Sequence, residues 1–253
     1  MALSNIKKTK TARPRRTLLY GVHGIGKSSW ANLWPNPVFI NLEDGLTDID
    51  ADAFPVPQTL QEAWSPIMEL ASESNAGHGY KTLVIDSVDW LEQRFVWSEV
   101  ANKSGVKHIG DIGFGKGYSQ AADIFGKLLR GLDSVRDSGM HVLLLAHSAI
   151  KRFDSPDADP YDRYVPKLHQ NAAGFGVSSM VQEWADEVLF CNYETFTKST
   201  DTGFGKKSTK AIGNGDRVIY TTERPSHLAK NRLGLPDKIP MALDHFSYGD
   251  YIT

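Results

Sequence analysis

The chain has a single cysteine, Cys191, among 253 residues. No intramolecular disulfide can form, a cysteine-based zinc cluster is excluded, and a lone thiol suits a reducing cytosol. Its neighbours, VLFCNY, are apolar and place it in a buried strand. No apolar run approaches the roughly 20 residues that a membrane helix needs; the longest is MHVLLLA at 140–146. The N-terminus carries no apolar signal region, so nothing points to a membrane. No internal repeat and no domain linker is evident. The first sixteen residues, MALSNIKKTKTARPRR, contain no acid, and six of the 28 Lys and Arg residues lie there. That leaves 22 cations against 30 acids in the remainder. A basic arm (1–16) on an acidic body (17–253) suits an anionic partner or a neighbouring subunit, or else is a solvated tail.

The remaining composition, 41% hydrophobic and 23% charged, is ordinary for a globular chain long enough for one large α/β domain or two small ones. Strand and helix patterns alternate. TLLY (17–20) reads as a buried strand and KSSWANLW as the helix after it; PVFINL (37–42) is a second strand. Thr59 and Glu62 form a capping box for a helix with Leu60, Trp64, Ile67, Met68 and Ala71 on one side. KTLVID (81–86) is a third strand. Residues 117–137 repeat apolar groups with a 3.6 period, from Ala121 to Val135, and Ser138-Gly139 ends that helix. HVLLLAH is a fourth strand. Residues 151–180 read as a long loop plus a short helix, and from 186 onward the signal is β. The expected fold is α/β: a mostly parallel twisted sheet flanked by helices, with antiparallel strands added at the C-terminal end.

GVHGIGKSS (21–29) fits the phosphate-loop pattern G-x-x-x-x-G-K-S/T, between a strand and a helix as that motif requires. Gly21, Gly24 and Gly26 let backbone N–H groups of Val22, His23, Ile25 and Ser29 curl around phosphate oxygens, and the helix start adds positive charge. Lys27 is placed to reach the β/γ-phosphates and Ser28 to ligate Mg²⁺. Asp86 ends a strand where the second metal-supporting carboxylate belongs; Asp89 and Glu92, further on, read as surface or capping groups. Glu43, at the end of PVFINL, faces the ligand crevice of an open α/β sheet and is the choice for orienting water, ahead of Asp44. His147 ends the next strand, where a polar group can sense the γ-phosphate. No N-K-x-D guanine-reading motif is present, so ATP is the expected ligand. In HLAKNRLGLP (227–236), Lys230 and Arg232 stand two apart and, on an extended segment, face one target.

Taken in order, GVHGIGKSS, FINLEDGL, TLVIDSVDWLE, LLLAH and AKNRLGLP resemble the RecA/DnaB-type ATPase core, and more closely the short phage-encoded RecA-like proteins that keep only that core. The resemblance spans roughly 15–235. It implies that Lys27 and Ser28 bind phosphate and Mg²⁺, Glu43 activates water, Asp86 supports the metal, and His147 couples the γ-phosphate to a DNA-binding loop after it. It also implies that Lys230 and Arg232 are paired basic fingers inserted into a neighbour's ATP site, so that hydrolysis depends on assembly into a ring or filament. RecA proper has Gln where His147 stands and carries terminal domains that this chain lacks.

For DNA, cations interleaved with aromatics suit a single strand. Three stretches qualify: the one after His147 (Arg152, Arg163, Lys167), the Gly-rich 107–119 (Lys107, Lys116, with Phe114 and Tyr118), and a polar segment with Lys206 and Lys207. The resemblance implies a DNA-stimulated ATPase that assembles on single-stranded DNA for annealing or strand exchange, in a bacterial host's cytoplasm, with a single-strand-binding protein as a further candidate partner. The rivals are a DnaB-class helicase or loader, a DNA-independent nucleotide-binding regulator, and an AAA+ or packaging motor. The last is set aside because the expected helical lid is missing. No acceptor pocket supports a small-molecule kinase.

Overall fold

The computed structural model describes residues 13–43, 45–72, 75–201, 207–246 and 248–252. Strand β1 (Arg16–Gly21) leads to α1 (Lys27–Ala31), β2 (Pro37–Asn41), α2 (Leu60–Ser72), the single turn α3 (Asn75–His78) and β3 (Thr82–Asp86). The next helix begins as α4 (Val88–Trp90), widens into a π-helical turn (Leu91–Val96) and continues as α5 (Trp97–Lys103). Then come α6 (Lys116–Asp137), β4 (His141–Phe153), β5 (Tyr161–Pro166), α7 (Val177–Trp184), β6 (Glu187–Asp201), β7 (Lys207–Tyr220), β8 (Lys238–Pro240) and α8 (Gly249–Ile252).

The sheet order is β2-β3-β4-β1-β6-β7-β8. The first five of these strands run parallel, and β7 and β8 extend the sheet antiparallel. Successive side chains of a strand alternate between faces, and the sheet is apolar on both. Leu18, Tyr20, Ile85 and Leu144 pack under α2, α6 and α7. Leu19, Val84, Leu143 and Cys191 pack under α1 and the C-terminal segment. Both faces covered is what a parallel sheet requires, and Cys191 is buried in its strand as expected. No described helix is long and apolar enough to cross a membrane.

Four local expectations are corrected. The first helix is only five residues long, because Asn32 leaves it within a turn of Trp30. On α2, Leu60, Trp64, Ile67 and Ala71 pack on the core as expected, but Met68 is exposed and the fully buried positions also include Ala63, Pro66 and Leu70. The stretch after His147 is no loop: β4 continues to Phe153 and pairs antiparallel with β5, Ser148 opposite Pro166 and Phe153 opposite Tyr161. Arg15 and Arg16, assigned to the basic arm, belong to the body, where Arg16 bonds Asp186 and Asp133 at 3.0 Å each.

Candidate nucleotide site

The C-terminal ends of β1, β2 and β3 meet His147, the point where β4 leaves the parallel sheet, because the strands are parallel and in register. Gly21 lies opposite His147 and Asn41 opposite Asp86, so Glu43, two residues past Asn41, joins them at one edge of the sheet. That edge is where open α/β sheets bind ligands. A cavity of about 300 Å³ opens there, lined by Gly24, Lys27, Ser28, Glu43, Asp86 and His147 among others.

The phosphate loop is built from backbone. Gly24 and Gly26 have φ of 70° and 97°, left-handed values that side chains rarely adopt. Ile25 is buried under the loop, so it offers only its backbone. The Lys27 ammonium donates to the carbonyls of Gly21 at 3.3 Å and Val22 at 3.1 Å, which holds it over the loop. Gly21 is needed for a different reason: a Cβ there would fall inside the carbonyl and thiol of Cys191 on β6. Gly21→Ala is therefore expected to lower stability by about 1–3 kcal/mol or more through overpacking, read as a drop in the denaturation midpoint. An unchanged midpoint would mean that β6 yields. On the other side of the loop, Gly26 abuts Leu243 of the C-terminal segment; nothing local in the sequence announced that backing.

Ser28 Oγ donates to Asp86 Oδ2 at 2.5 Å. Burial pushes the Asp86 carboxyl up, and the Ser28 bond and Lys27 charge oppose it. These oxygen donors at the mouth of the loop suit a hard cation, so Ser28 and Asp86 would hold Mg²⁺, which supplies charge neutralisation at phosphate. Glu43 accepts a hydrogen bond from Ser87 Oγ, and burial raises its carboxyl too. Asp44 lies outside the described residues.

His147 is held by Asp89, whose two oxygens take the ring Nδ1 at 2.9 Å and the backbone N–H at 3.0 Å. Its Nδ1 also lies 3.6 Å from Glu43, and its ring stacks on His23 of the phosphate loop at 4.2 Å. Asp89 and Glu92 are thus not surface groups: both are buried. Burial pushes Asp89 up, but its bonds to His147 prevail and hold it below the usual carboxylate range. A signal was present, since both residues fall among Val88, Leu91, Phe95 and Val96, the buried positions of that helix.

The basic pair sits elsewhere. Lys230 bridges Val188, which pairs with Leu18, three residues before the Gly21–Cys191 pair. That puts Lys230 roughly 10 Å down the strands from the loop at ~3.3 Å per residue, towards their opposite ends. Its ammonium donates to the carbonyls of Gln182 (2.8 Å), Glu183 (3.1 Å) and Ala185 (2.6 Å), closing the C-terminal end of α7. The Arg232 side chain is 55% exposed and 3.6 Å from Asp186. The two residues therefore do not share one target within the subunit, and neither can serve its own nucleotide.

Among the cations considered for DNA, Arg163 bonds Glu223 at 2.8 Å and lies 3.8 Å over the Phe153 ring, so it is already engaged. Arg152 is 3.9 Å from Asp162. Lys107, Lys116 and Lys167 are exposed, and none pairs with a described acid. Lys207 begins β7, and Lys206 lies outside the described residues.

The loop, the paired Ser28 and Asp86, and the sheet that aligns them define a phosphate-loop ATPase. Residues 13–233 match the AAA domain family, and the chain belongs to that family. No curated protein matches the chain. The AAA reading was set aside for want of a helical lid; the family match runs through the β-rich stretch from 187 to 233, so a missing lid does not exclude it.

Proposed function

We propose that this ATPase binds single-stranded DNA, assembles on it, and promotes annealing or strand exchange, with hydrolysis at subunit contacts. The observation that carries this reading is a groove of about 600 Å³ between the start of α6 and the segment before α7. Two rings stand at its mouth: Phe114 is fully exposed and Phe175 is 73% exposed. Phe114 has a φ of 57°, an uncommon conformation for a bulky residue that no burial of its ring offsets. Tyr118 lies inside, its ring flat against that of His169 at 4.2 Å. Lys116 adjoins Phe114 in the chain, Lys107 lines the adjoining cleft with Trp97, and Lys167 precedes His169 by two residues. Exposed rings beside unpaired cations are what single strands need: stacking faces for bases and charge for phosphates. Asp123 and Glu183 lie on the groove as well, which leaves the lysine side for the backbone.

The groove also connects with the nucleotide site, because the Lys167 N–H donates to the His147 carbonyl at 2.8 Å. A fluorescent oligonucleotide titrated at low salt tests the reading. The wild type should bind, and Phe114→Ala/Phe175→Ala should weaken binding by about 5–150-fold, the equivalent of ~1–3 kcal/mol for a lost base stack. Both side chains are exposed, so the double variant should fold. Equal affinity for the two proteins would remove the groove from DNA binding, and no binding by the wild type would end the single-strand reading.

A further inference from the structure

One stretch of helix after β3 grips the nucleotide site at one end and the groove at the other. Ser87 bonds Glu43, Asp89 holds His147, and Glu92 accepts the backbone N–H of His169 at 2.9 Å. The segment from Lys167 to Gly176, which carries Phe175, is tied to the nucleotide side by the His147 carbonyl and the Glu92 carboxyl, while Leu168 anchors it in the core and the His169 carbonyl takes the Ser178 N–H at the start of α7. Glu92 is fully buried; one oxygen takes the His169 N–H, and the buried indole N–H of Trp97 faces the carboxyl without completing a well-formed hydrogen bond to Oε1. Burial, with Asp89 adding to it, pushes the Glu92 carboxyl up to about 7, against the His169 N–H.

A buried carboxyl is costly even beside hydrogen-bond donors, and an apolar residue of equal volume in such a place is often neutral or stabilising. Its use is therefore to be sought in what it joins. Glu92 also lies in the π-helical turn Leu91–Val96, a distortion found often at functional sites.

We propose that Glu92 is a positioning residue that couples occupancy of the Phe114–Phe175 groove to the state of the nucleotide site. It does so by fixing the His169 segment to the helix that holds Glu43 and His147. The inference rests on the single-strand reading of the groove. A strand that stacks on Phe175 shifts the His169 backbone; Glu92 passes the shift to the helix, and Asp89 and Ser87 pass it to His147 and Glu43. By linkage the same route runs backward, so the bound nucleotide sets strand affinity.

The test measures oligonucleotide Kd in the presence of a non-hydrolysable ATP analogue and in the presence of ADP. For the wild type, a ratio of roughly 5–150-fold between the two is expected, the usual range of such coupling. Glu92→Met, which keeps the volume, should bring the ratio to about 1–2 while leaving the ADP value unchanged, since only the coupling is lost. Glu92→Gln should restore the ratio, because its amide oxygen still accepts the His169 N–H. A merely structural role would shift both Kd values together and leave their ratio intact. A wild type that binds no strand would overturn the single-strand reading and this inference together. A wild type that binds without a nucleotide-dependent ratio, or a Glu92→Met protein that keeps the ratio, would overturn the inference alone.

Discussion

Glu43→Gln should lower ATP turnover by about 10²–10⁴-fold, the range for losing a positioned general base, and leave nucleotide affinity close to wild type. The separation follows from geometry. Affinity comes from the loop backbone, Lys27 and the Ser28–Asp86 pair, and Glu43 touches none of these directly. It bonds Ser87 and faces His147 across 3.6 Å, lining the same cavity as the loop. One of its oxygens, Oε1, accepts the Ser87 hydroxyl, which orients the carboxylate and leaves Oε2 to take a proton from water. Ser87→Ala would remove that orienting bond, and its effect on turnover should be small beside that of Glu43→Gln. The measurement is single-turnover hydrolysis at saturating ATP with a parallel binding titration using a fluorescent nucleotide. If Glu43→Gln hydrolyses normally, another group orients the water, and Asp44 becomes the choice. If affinity collapses along with the rate, Glu43 supports the loop rather than the chemistry.

The loop, Asp86, Glu43 and His147 were legible in the sequence because each ends an apolar run of strand length. In a parallel sheet the C-terminal ends of such runs must meet. The two-faced core was legible for the same reason: Thr82–Asp86 is buried at every position, which only a sheet covered on both sides permits. What escaped was every feature set by a partner distant in the chain. Asp89 looks like a helix-start acid until β4 brings His147 beside it, 58 residues later. Arg163 reads as a free cation until the chain returns with Glu223, 60 residues on. Lys230 reads as a strand cation until α7 ends beneath it. The hairpin of β4 and β5 did have a local signal: the turn-rich DSPDADP lies between alternating IKRF and YDRYV. That is a hairpin pattern, which its density of Asp and Pro disguised as an extended loop.

Arg232→Ala should abolish multiple-turnover hydrolysis, by about 10³–10⁵-fold if it acts as a finger on a neighbour's γ-phosphate, with little change in subunit stability. Its one described ion pair, to Asp186 at 3.6 Å, joins a half-exposed guanidinium to a carboxylate that Arg16 already engages, and pairs with so exposed a partner contribute only ~0–1 kcal/mol. Lys230→Ala is a poor substitute for this test. It strips three hydrogen bonds from the end of α7, so any loss of rate would be mixed with a loss of fold. The decisive experiment mixes two inactive proteins. A Glu43→Gln subunit has no water-orienting carboxylate but still offers Arg232; an Arg232→Ala subunit keeps Glu43 but offers no finger. Where they adjoin in one order, an intact Glu43 meets an intact Arg232, and hydrolysis should return in proportion to such contacts. With equal amounts and random assembly that is about a quarter of all contacts, a rate far above the background of either parent if the finger is worth ~10³-fold. Recovery can arise only if the two residues act on one nucleotide from different subunits, because within a subunit Arg232 follows Lys230, which lies at the far end of the strands from the loop. No recovery, with both variants folded and still binding ATP, would show that Arg232 does not complete a neighbour's site, and an Arg232→Ala protein that hydrolyses normally would show that Arg232 is only a surface cation paired to Asp186.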